Sequence, residues 1–481
     1  MPRPLACNRK SERRISPSLF TETATLMNRS VLYRHVLPIA LLASGNALAA
    51  EPAAKAAAPA AAQTQCHTGA YRLDDDRVVD IARTSAAGVL RWRLLDGSTG
   101  KLVHKDGAWT STRGWTDQAD GVAVSFGDCA DGRIRYAGHD GRKLKFDVTE
   151  TRFKGNGVDL RGRLVLPPGE GPVPLVVLVH GSENYSGIDL YHLQNLFPAN
   201  GVGVFVYDKR GTGGSTGKYN QNFYQLSDDA AAALREAKRL AGPRAGRTGF
   251  HGGSQGGWVA PLAASKEPQA EFIVVGFGLA DGVLAEDRDQ VVMDLRAAGF
   301  GDAQTLAKAR EVSDATGLIA SSDGQRGWKE LDAVRAKYAA QPWWKALKGE
   351  YTGLVINHTR AEVLAELAKQ DVDVSWDYDP MPVLRGLAVP ELWILGGSDI
   401  EAPSDETQKR LVGLAGEGRP ITTALFPQSD HGILDFEVDA KGERQHTRVA
   451  EGYFAMQLDW IKHGKLDGKP YGKAKVLAEA K

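Results

Sequence analysis

Residues 249–265, GFHGGSQGGWVAPLAAS, decide the fold. They hold a G-x-S-x-G pattern around Ser254, in which a sharp turn between a strand and a helix lifts a serine hydroxyl off the strand end. A second match, GGSTG at 213–217, surrounds Ser215, so the pattern alone does not choose. The flanks do. An apolar stretch, TGFHG, leads into Ser254 and the helix-like QGGWVAPLAASK follows it, with Gly252 and Gly256 where a side chain would collide in the tight turn. Pro261 removes one backbone donor from that helix. Ser215 has no strand directly before it, and KYNQNFYQ after it shows no apolar period. We therefore expect Ser254 to be the nucleophile and Ser215 to be structural.

Outward from the turn, LVVLV (175–179), VGVFVYD (202–208), FIVVGFG (272–278) and ELWILGG (391–397) are continuous apolar runs, as expected of strands buried on both faces. DDAAAALREAKRLAG (228–242) has helical spacing. Strands alternating with helices predict an α/β fold, a mostly parallel doubly wound sheet. Its core is expected over 152–278 and 386–481, interrupted by a helical cap at 279–385 that contains DRDQVVMDLRAAG, DAQTLAKAREVSDATGLIA and RAEVLAELAK.

A serine hydroxyl needs a base, and the base an orienting acid. Downstream, FPQSDHGI places His431 in a polar loop, and ILGGSDIEAP places Asp399 just past a strand end, where ligand groups gather in open α/β sheets. Glu401 and Asp405 are competing acids. The developing oxyanion needs two backbone donors, for which the N–H groups of Gln255 and of Ser182, in VHGSE, are the candidates. His180 and His251 read as structural.

Together these motifs resemble the α/β-hydrolase superfamily, in its branch of bacterial esterases and serine aminopeptidase-like (S33) hydrolases. LVVLVHGS is similar to that branch's oxyanion strand and VYDKRGTGGSTG to its D-x-R-G-x-G-x-S loop. The elbow segment, VPELWILGGSDIEAP and SDHGI are similar to its nucleophile, acid and histidine loops. The resemblance covers roughly residues 150–465. It implies a Ser254, Asp399, His431 triad acting without cofactor or metal, and a structural role for the Ser215 loop, whose arginine and glycines shape the site's rim. HGSE departs from the HGSG common in related esterases, which puts the loop's shape near Glu183 in question.

The rest of the chain is read from composition and pattern. Its 481 residues suit a core plus accessory pieces, and balanced charge, 59 Lys+Arg against 59 Asp+Glu, argues against a nucleic-acid partner. Residues 1–49 form a leader: from Met27, the expected start, a cationic head, an apolar run and Ala47-Leu48-Ala49 make a secretory signal peptide. The run is too short for a stable membrane span. A periplasmic or secreted protein is expected, with an Ala/Pro linker at 50–65.

From 66 to 151, GAYRL, RVVDIAR, VLRWRLL, VAVSF, RIRYAG and KLKFDVTE predict a small β-rich domain. Cys7 goes with the leader. Cys66 and Cys129 remain, as a disulfide in an oxidising compartment or as two buried thiols, with the disulfide favoured. Trp92, Trp109 and Trp115 pack a core or form a platform for envelope polymers. The expected function is an exported serine hydrolase cleaving acyl bonds, foremost carboxylic esters, in a small ester or short peptide. A serine peptidase of aminopeptidase or oligopeptidase type, with Glu286 and Asp287 as amine anchors, a thioesterase, and an inactive binding protein of the same fold are the competing readings. Trp343, Trp344 and Trp376 of the cap suit an acyl pocket or core packing.

Overall fold

The computed structural model describes residues 65–369 and 372–480. The expected signal peptide, Met27, Cys7 and nearly all of the Ala/Pro linker lie outside them.

The continuous apolar runs follow from two cores on opposite sides of one sheet. In β11 (Val173–Val179), Leu175, Val177 and Val179 face one core while Val176 and Leu178 face the other. The same alternation divides Phe205 and Tyr207 from Val204 and Val206 in β12 (Gly203–Tyr207). It also divides Trp393 and Leu395 from Leu392 and Ile394 in β15 (Glu391–Gly396). No polar face is left to break the run.

Nine strands make this sheet. In spatial order they are β20 (Lys475–Ala478), β16 (Ile421–Phe426), β15, β14 (Ile273–Gly276), β13 (Ala245–Gly253), β11, β12, β10 (Asp159–Leu166) and β9 (Asp147–Lys154). The interior pairs from β12 to β16 are parallel, and β9, β10 and β20 join antiparallel. Helices α1 (Phe223–Ala241) and α2 (Gly256–Lys266) cover the first core. Tyr453–His463 covers the second. Helix α2 runs unbroken through the buried Pro261.

The insertion between β14 and β15 is helical, as expected: α3 (Val283–Ala297), α4 (Ala303–Ala320), α5 (Trp328–Tyr338), α6 (Glu350–Asn357) and α7 (Arg360–Leu367). Most of it packs around its own core, which contains Val291, Leu295, Val312 and the buried Trp343. Its end, with Tyr378, Met381 and Leu384, packs into the first core of the sheet instead.

The N-terminal segment is a closed antiparallel barrel. Its strands are β1 (Gly69–Leu73), β2 (Val78–Arg83), β3 (Val89–Leu94), β4 (Thr99–Lys105), β5 (Ala108–Arg113), β6 (Val124–Phe126), β7 (Arg133–Tyr136) and β8 (His139–Lys143). Three of the eight, β4, β5 and β8, escape the hydrophobic pattern, and in β5 the buried position is the polar Ser111. There the Trp92 indole donates to Ser111 at 2.9 Å, and Ser111 donates to Asp120 at 2.7 Å. KLKFDVTE is not one strand. Lys143 closes the barrel opposite Tyr71, and from Asp147 the chain pairs along all of β10, so the expected boundary at 151 moves to about 146. An unbroken β-like pattern cannot mark where a chain changes sheets. The three tryptophans share no platform: Trp92 is in the barrel core, Trp109 flanks it, and Trp115 packs on the second core of the large sheet beneath the Arg91 guanidinium, 4.3 Å from its ring.

A small sheet of β17 (Ser429–Asp430), β18 (Leu434–Val438) and β19 (Arg444–Val449) was not expected. Its last strand ends at Val449, and the C-terminal helix starts at Tyr453. The barrel docks on its edge. Val449 N–H donates to Gly97 O at 3.0 Å and Trp115 N–H to His446 O at 2.9 Å. Gly97 and Gly114 permit the approach, since a Cβ on either would lie 2.2 Å from Val449 O or 2.5 Å from Thr447 O.

Cys66 and Cys129 are joined in a disulfide that ties the segment before β1 to the β6–β7 loop. Among the described residues no helix is long and apolar enough to cross a membrane. In the chain-entropy account, closing a loop of 63 residues contributes about 4 kcal/mol. Replacing both cysteines by serine is expected to lower the barrel's unfolding transition well before that of the nine-stranded sheet, read by hydrogen exchange. Equal protection of the barrel in both forms would contradict this.

Candidate active site

Ser254 stands where β13 ends and α2 begins, with φ at +51°, a left-handed conformation uncommon for serine. Its N–H donates to Gly276 O at 3.0 Å and its carbonyl accepts from Gly257 N–H at 2.7 Å. The turn is tight enough to require Gly252: a Cβ there would lie 2.3 Å from Gly256 O. Gly256 lies against the other strand end, its Cβ position 3.2 Å from the carbonyls of Val179 and His180. Because α2 starts at Gly256, the Gln255 N–H sits at a helix N-terminus, where backbone donors lack intrahelical acceptors and favour developing negative charge.

The acid and base are brought together from separate loops. His431 Nδ1 lies 2.9 Å from Asp399 Oδ2, and both side chains are buried. Asp399 Oδ1 accepts from the N–H groups of Glu401 and Ala402 at 2.9 and 2.8 Å, so the carboxylate is fixed by the loop it ends. Asp405, a competing acid, pairs instead with Arg296 at 3.2 Å. Glu401 lies on the other side of the ring, 3.7 Å from Nε2. The Phe277 ring packs edge-on against His431 at 4.9 Å between centroids. It also fills the space a Cβ on Gly253 would need, at 2.6 Å. One aromatic ring thus touches both the imidazole and the residue before Ser254.

Sequence reasoning missed Asp430, which ties the two loops. It accepts from Ile400 N–H at 3.1 Å and from His431 N–H at 2.9 Å, and meets Arg444 and His446 at 2.9 and 3.0 Å. Burial opposes charge on Asp430, but His446 and Arg444 outweigh it and hold the carboxyl down at about 2. Phe277, another missed residue, had no signal beyond its place at a strand end.

The oxyanion loop runs beside the elbow, with the Cβ position of Gly181 3.4 Å from Gly253 O. Glu183, the departure from HGSG, turns into the protein. It accepts from Tyr191 Oη, and its Oε1 lies 3.1 Å from His180 Nδ1. Burial would raise its carboxyl, but His180, Lys209 and Tyr191 hold it down at about 2. His180 and His251 are both buried, and His180 Nε2 contacts Tyr207 O at 2.5 Å.

Ser215 is engaged away from this cluster. Its hydroxyl donates to Asp208 O at 2.6 Å and accepts from Arg161 N–H at 2.9 Å. Arg210 of the same loop makes a two-pronged pair with the Asp229 carboxylate at 2.7 and 2.9 Å. Asp287, weighed as an amine anchor, is spent on structure: it accepts from the N–H groups of Tyr351 and Thr352 and from the Thr352 hydroxyl, capping α6. Of the cap tryptophans, Trp343 is core and Trp376 packs against Tyr351 at 5.3 Å. Among the described residues one group has metal-ligand spacing, Asp74, Asp75 and His139 on the barrel surface. There His139 already contacts Asp74 at 2.7 Å.

Residues 170–306 match the family described as serine aminopeptidase, S33. A thiohydrolase of Aspergillus aculeatus is 28% identical over 291 residues, covering 58% of this chain and 85% of that protein. Among solved structures, an acylaminoacyl peptidase of Pyrococcus horikoshii aligns with a TM-score of 0.39 and 16% identity over 82% of this chain, which spans 58% of the peptidase's length. An esterase of Pyrococcus furiosus aligns with a TM-score of 0.36 and 16% identity, over 60% of this chain and 84% of its own. The chain has an α/β-hydrolase fold, and its residues 170–306 are similar to the S33 serine aminopeptidase family.

Burial alone would lower the His431 pKa, but the carboxylates of Asp399 and Glu401 outweigh it and raise it above the ordinary histidine value. An imidazole that acts as base must be neutral, so if His431 is that base, activity is expected to rise with pH through that raised value. Glu401→Gln removes an anion beside Nε2 and is expected to move the acidic limb of kcat/KM to lower pH, by about one unit. A limb that stays in place would show that Glu401 does not act on His431.

Proposed function

We propose that the protein is an exported serine hydrolase that cleaves carboxylic esters through an acyl-enzyme. The observation that carries this reading is the 2.9 Å contact of His431 Nδ1 with a fixed Asp399 carboxylate, linked through Phe277 to the elbow of Ser254. In this reading Ser254 attacks the carbonyl, His431 takes its proton and later returns it to the leaving alkoxide, and Asp399 holds the imidazole tautomer. The N–H groups of Gln255 and Ser182 receive the oxyanion. No metal takes part. Support for export is the leader sequence and the Cys66–Cys129 disulfide, a bond characteristic of oxidising compartments.

One observation favours a second reading, an aminopeptidase. Glu401 places a carboxylate 3.7 Å from the base, on the side where substrate would lie, and Glu286 is also near enough to act on His431. A substrate with a positively charged amine would meet that field favourably.

Both readings are tested with p-nitrophenyl esters of graded chain length against aminoacyl p-nitroanilides. The ester reading predicts higher kcat/KM on esters, and preferred turnover of the anilides selects the peptidase. Ser254→Ala is expected to lower kcat by at least about 10⁴-fold, with its unfolding transition little changed. Ser215→Ala is expected to keep turnover within about tenfold of the parent, since a neutral hydrogen bond contributes about 1 kcal/mol. Comparable losses in both variants would dissolve the assignment.

A further inference from the structure

The loop that follows β12 places a buried cation behind the oxyanion loop. Lys209 is 2% exposed, and its Nζ donates to Gly181 O at 2.7 Å. That carbonyl and the N–H of Ser182 are the two ends of one peptide unit. In a trans peptide they point in opposite directions, so holding the oxygen toward Lys209 turns the Ser182 N–H away from it.

The neighbouring peptide is held too. Tyr219 Oη donates to Ser182 O, and the Lys209 ammonium lies 4.7 Å from the centre of the Tyr219 ring. The ammonium is itself kept in place. The Lys209 main chain below it is fixed by its carbonyl, which accepts from both the N–H and the hydroxyl of Thr212 at 2.9 and 2.8 Å. Burial pushes the Lys209 ammonium down, to about 8, and the Glu183 carboxylate supplies the opposing charge that limits the drop.

We propose that Lys209 is a positioning residue of the oxyanion hole: its ammonium fixes and polarises the Gly181–Ser182 peptide so that the Ser182 N–H is a stronger, correctly aimed donor. The physical basis is that a cation on a peptide oxygen draws electron density through the amide and strengthens the N–H at its other end, as in polarised hydrogen-bond chains. Low polarity around the loop keeps the effect from being screened. HGSE then has a reason. An acidic residue after the oxyanion serine, itself held by Tyr191 and His180, gives the buried ammonium a counter-charge. The inference rests on the serine-hydrolase reading.

Lys209→Met keeps most of the side-chain volume and removes the charge. It is expected to lower kcat on an ester by about 10- to 100-fold with KM little changed, less than the loss of a direct oxyanion donor. Binding of a trifluoromethyl ketone, which forms a tetrahedral oxyanion on the serine, is expected to weaken by the same factor. Binding of an unreactive ether of the same shape is expected to stay constant, and Lys209→Arg to recover part of kcat. A purely structural lysine would weaken both ligands together. Unchanged kcat, or equal losses for ketone and ether, would overturn the role.

If the uncompensated Glu183 prevents folding, the double variant Lys209→Met, Glu183→Gln removes both charges and is read by the same assays. Failure of that variant to fold as well would overturn the proposal, by making the ammonium a requirement of the fold. Ser254→Ala in parallel separates the two levels: if it stays active, the serine-hydrolase reading itself has failed.

Discussion

The site depends on how closely a strand end and a helix start approach at residues 252–256. There is no room at Gly252 for a side chain, because the carbonyl of Gly256 occupies its place at 2.3 Å. That closeness forces Ser254 into a left-handed conformation, a strain of roughly 1–3 kcal/mol that the surrounding backbone bonds hold in place. The return is geometric. The hydroxyl stands off the sheet, and the next N–H opens a helix. Every other part of the site is arranged around a position that this turn makes available.

The loops that meet there are held by buried charge rather than by apolar packing. On the base side, Asp430 gathers Ile400, His431, Arg444 and His446, so that the acid and histidine loops share one anchor. On the oxyanion side, Lys209, Glu183, His180 and Tyr191 make a second cluster. Removing one member of such a cluster leaves a buried charge uncompensated, a cost of about 3–5 kcal/mol in comparable cases. The barrel reaches both sides. Its Gly97 and Trp115 bind the β19 strand that carries His446, and its buried Asp80 accepts from Asn195 at 3.0 Å. These contacts fix the barrel against the large sheet.

The sheet was legible because strands buried on both faces must be apolar throughout, and Val176 to Val179 can be read no other way. Ser254 was separable from Ser215 by its flanks, and Asp399 was distinguishable from Asp405 by its distance past β15. What stayed hidden is what sequence periodicity does not encode. Strand β5 buries a polar Ser111, the chain passes from β8 to β9 and so from one sheet to another without a break in pattern, β17 spans only two residues, and β19 (RQHTRV) is polar almost throughout. Sequence showed Glu401 only as a rival to Asp399, and Lys209 not at all, for a different reason. Their parts depend on distances to His431 and Gly181 that no local spacing sets.

The central claim is that Ser254, and no other side chain, forms the covalent intermediate. The most direct measurement is to treat the unmutated protein with a fluorophosphonate, digest it, and locate the added mass by fragmentation. A single adduct on Ser254 is expected, and it should fail to form when the protein is unfolded beforehand, because free serine hydroxyls lack the activating base. An adduct on Ser215, or labelling that survives unfolding, would contradict it.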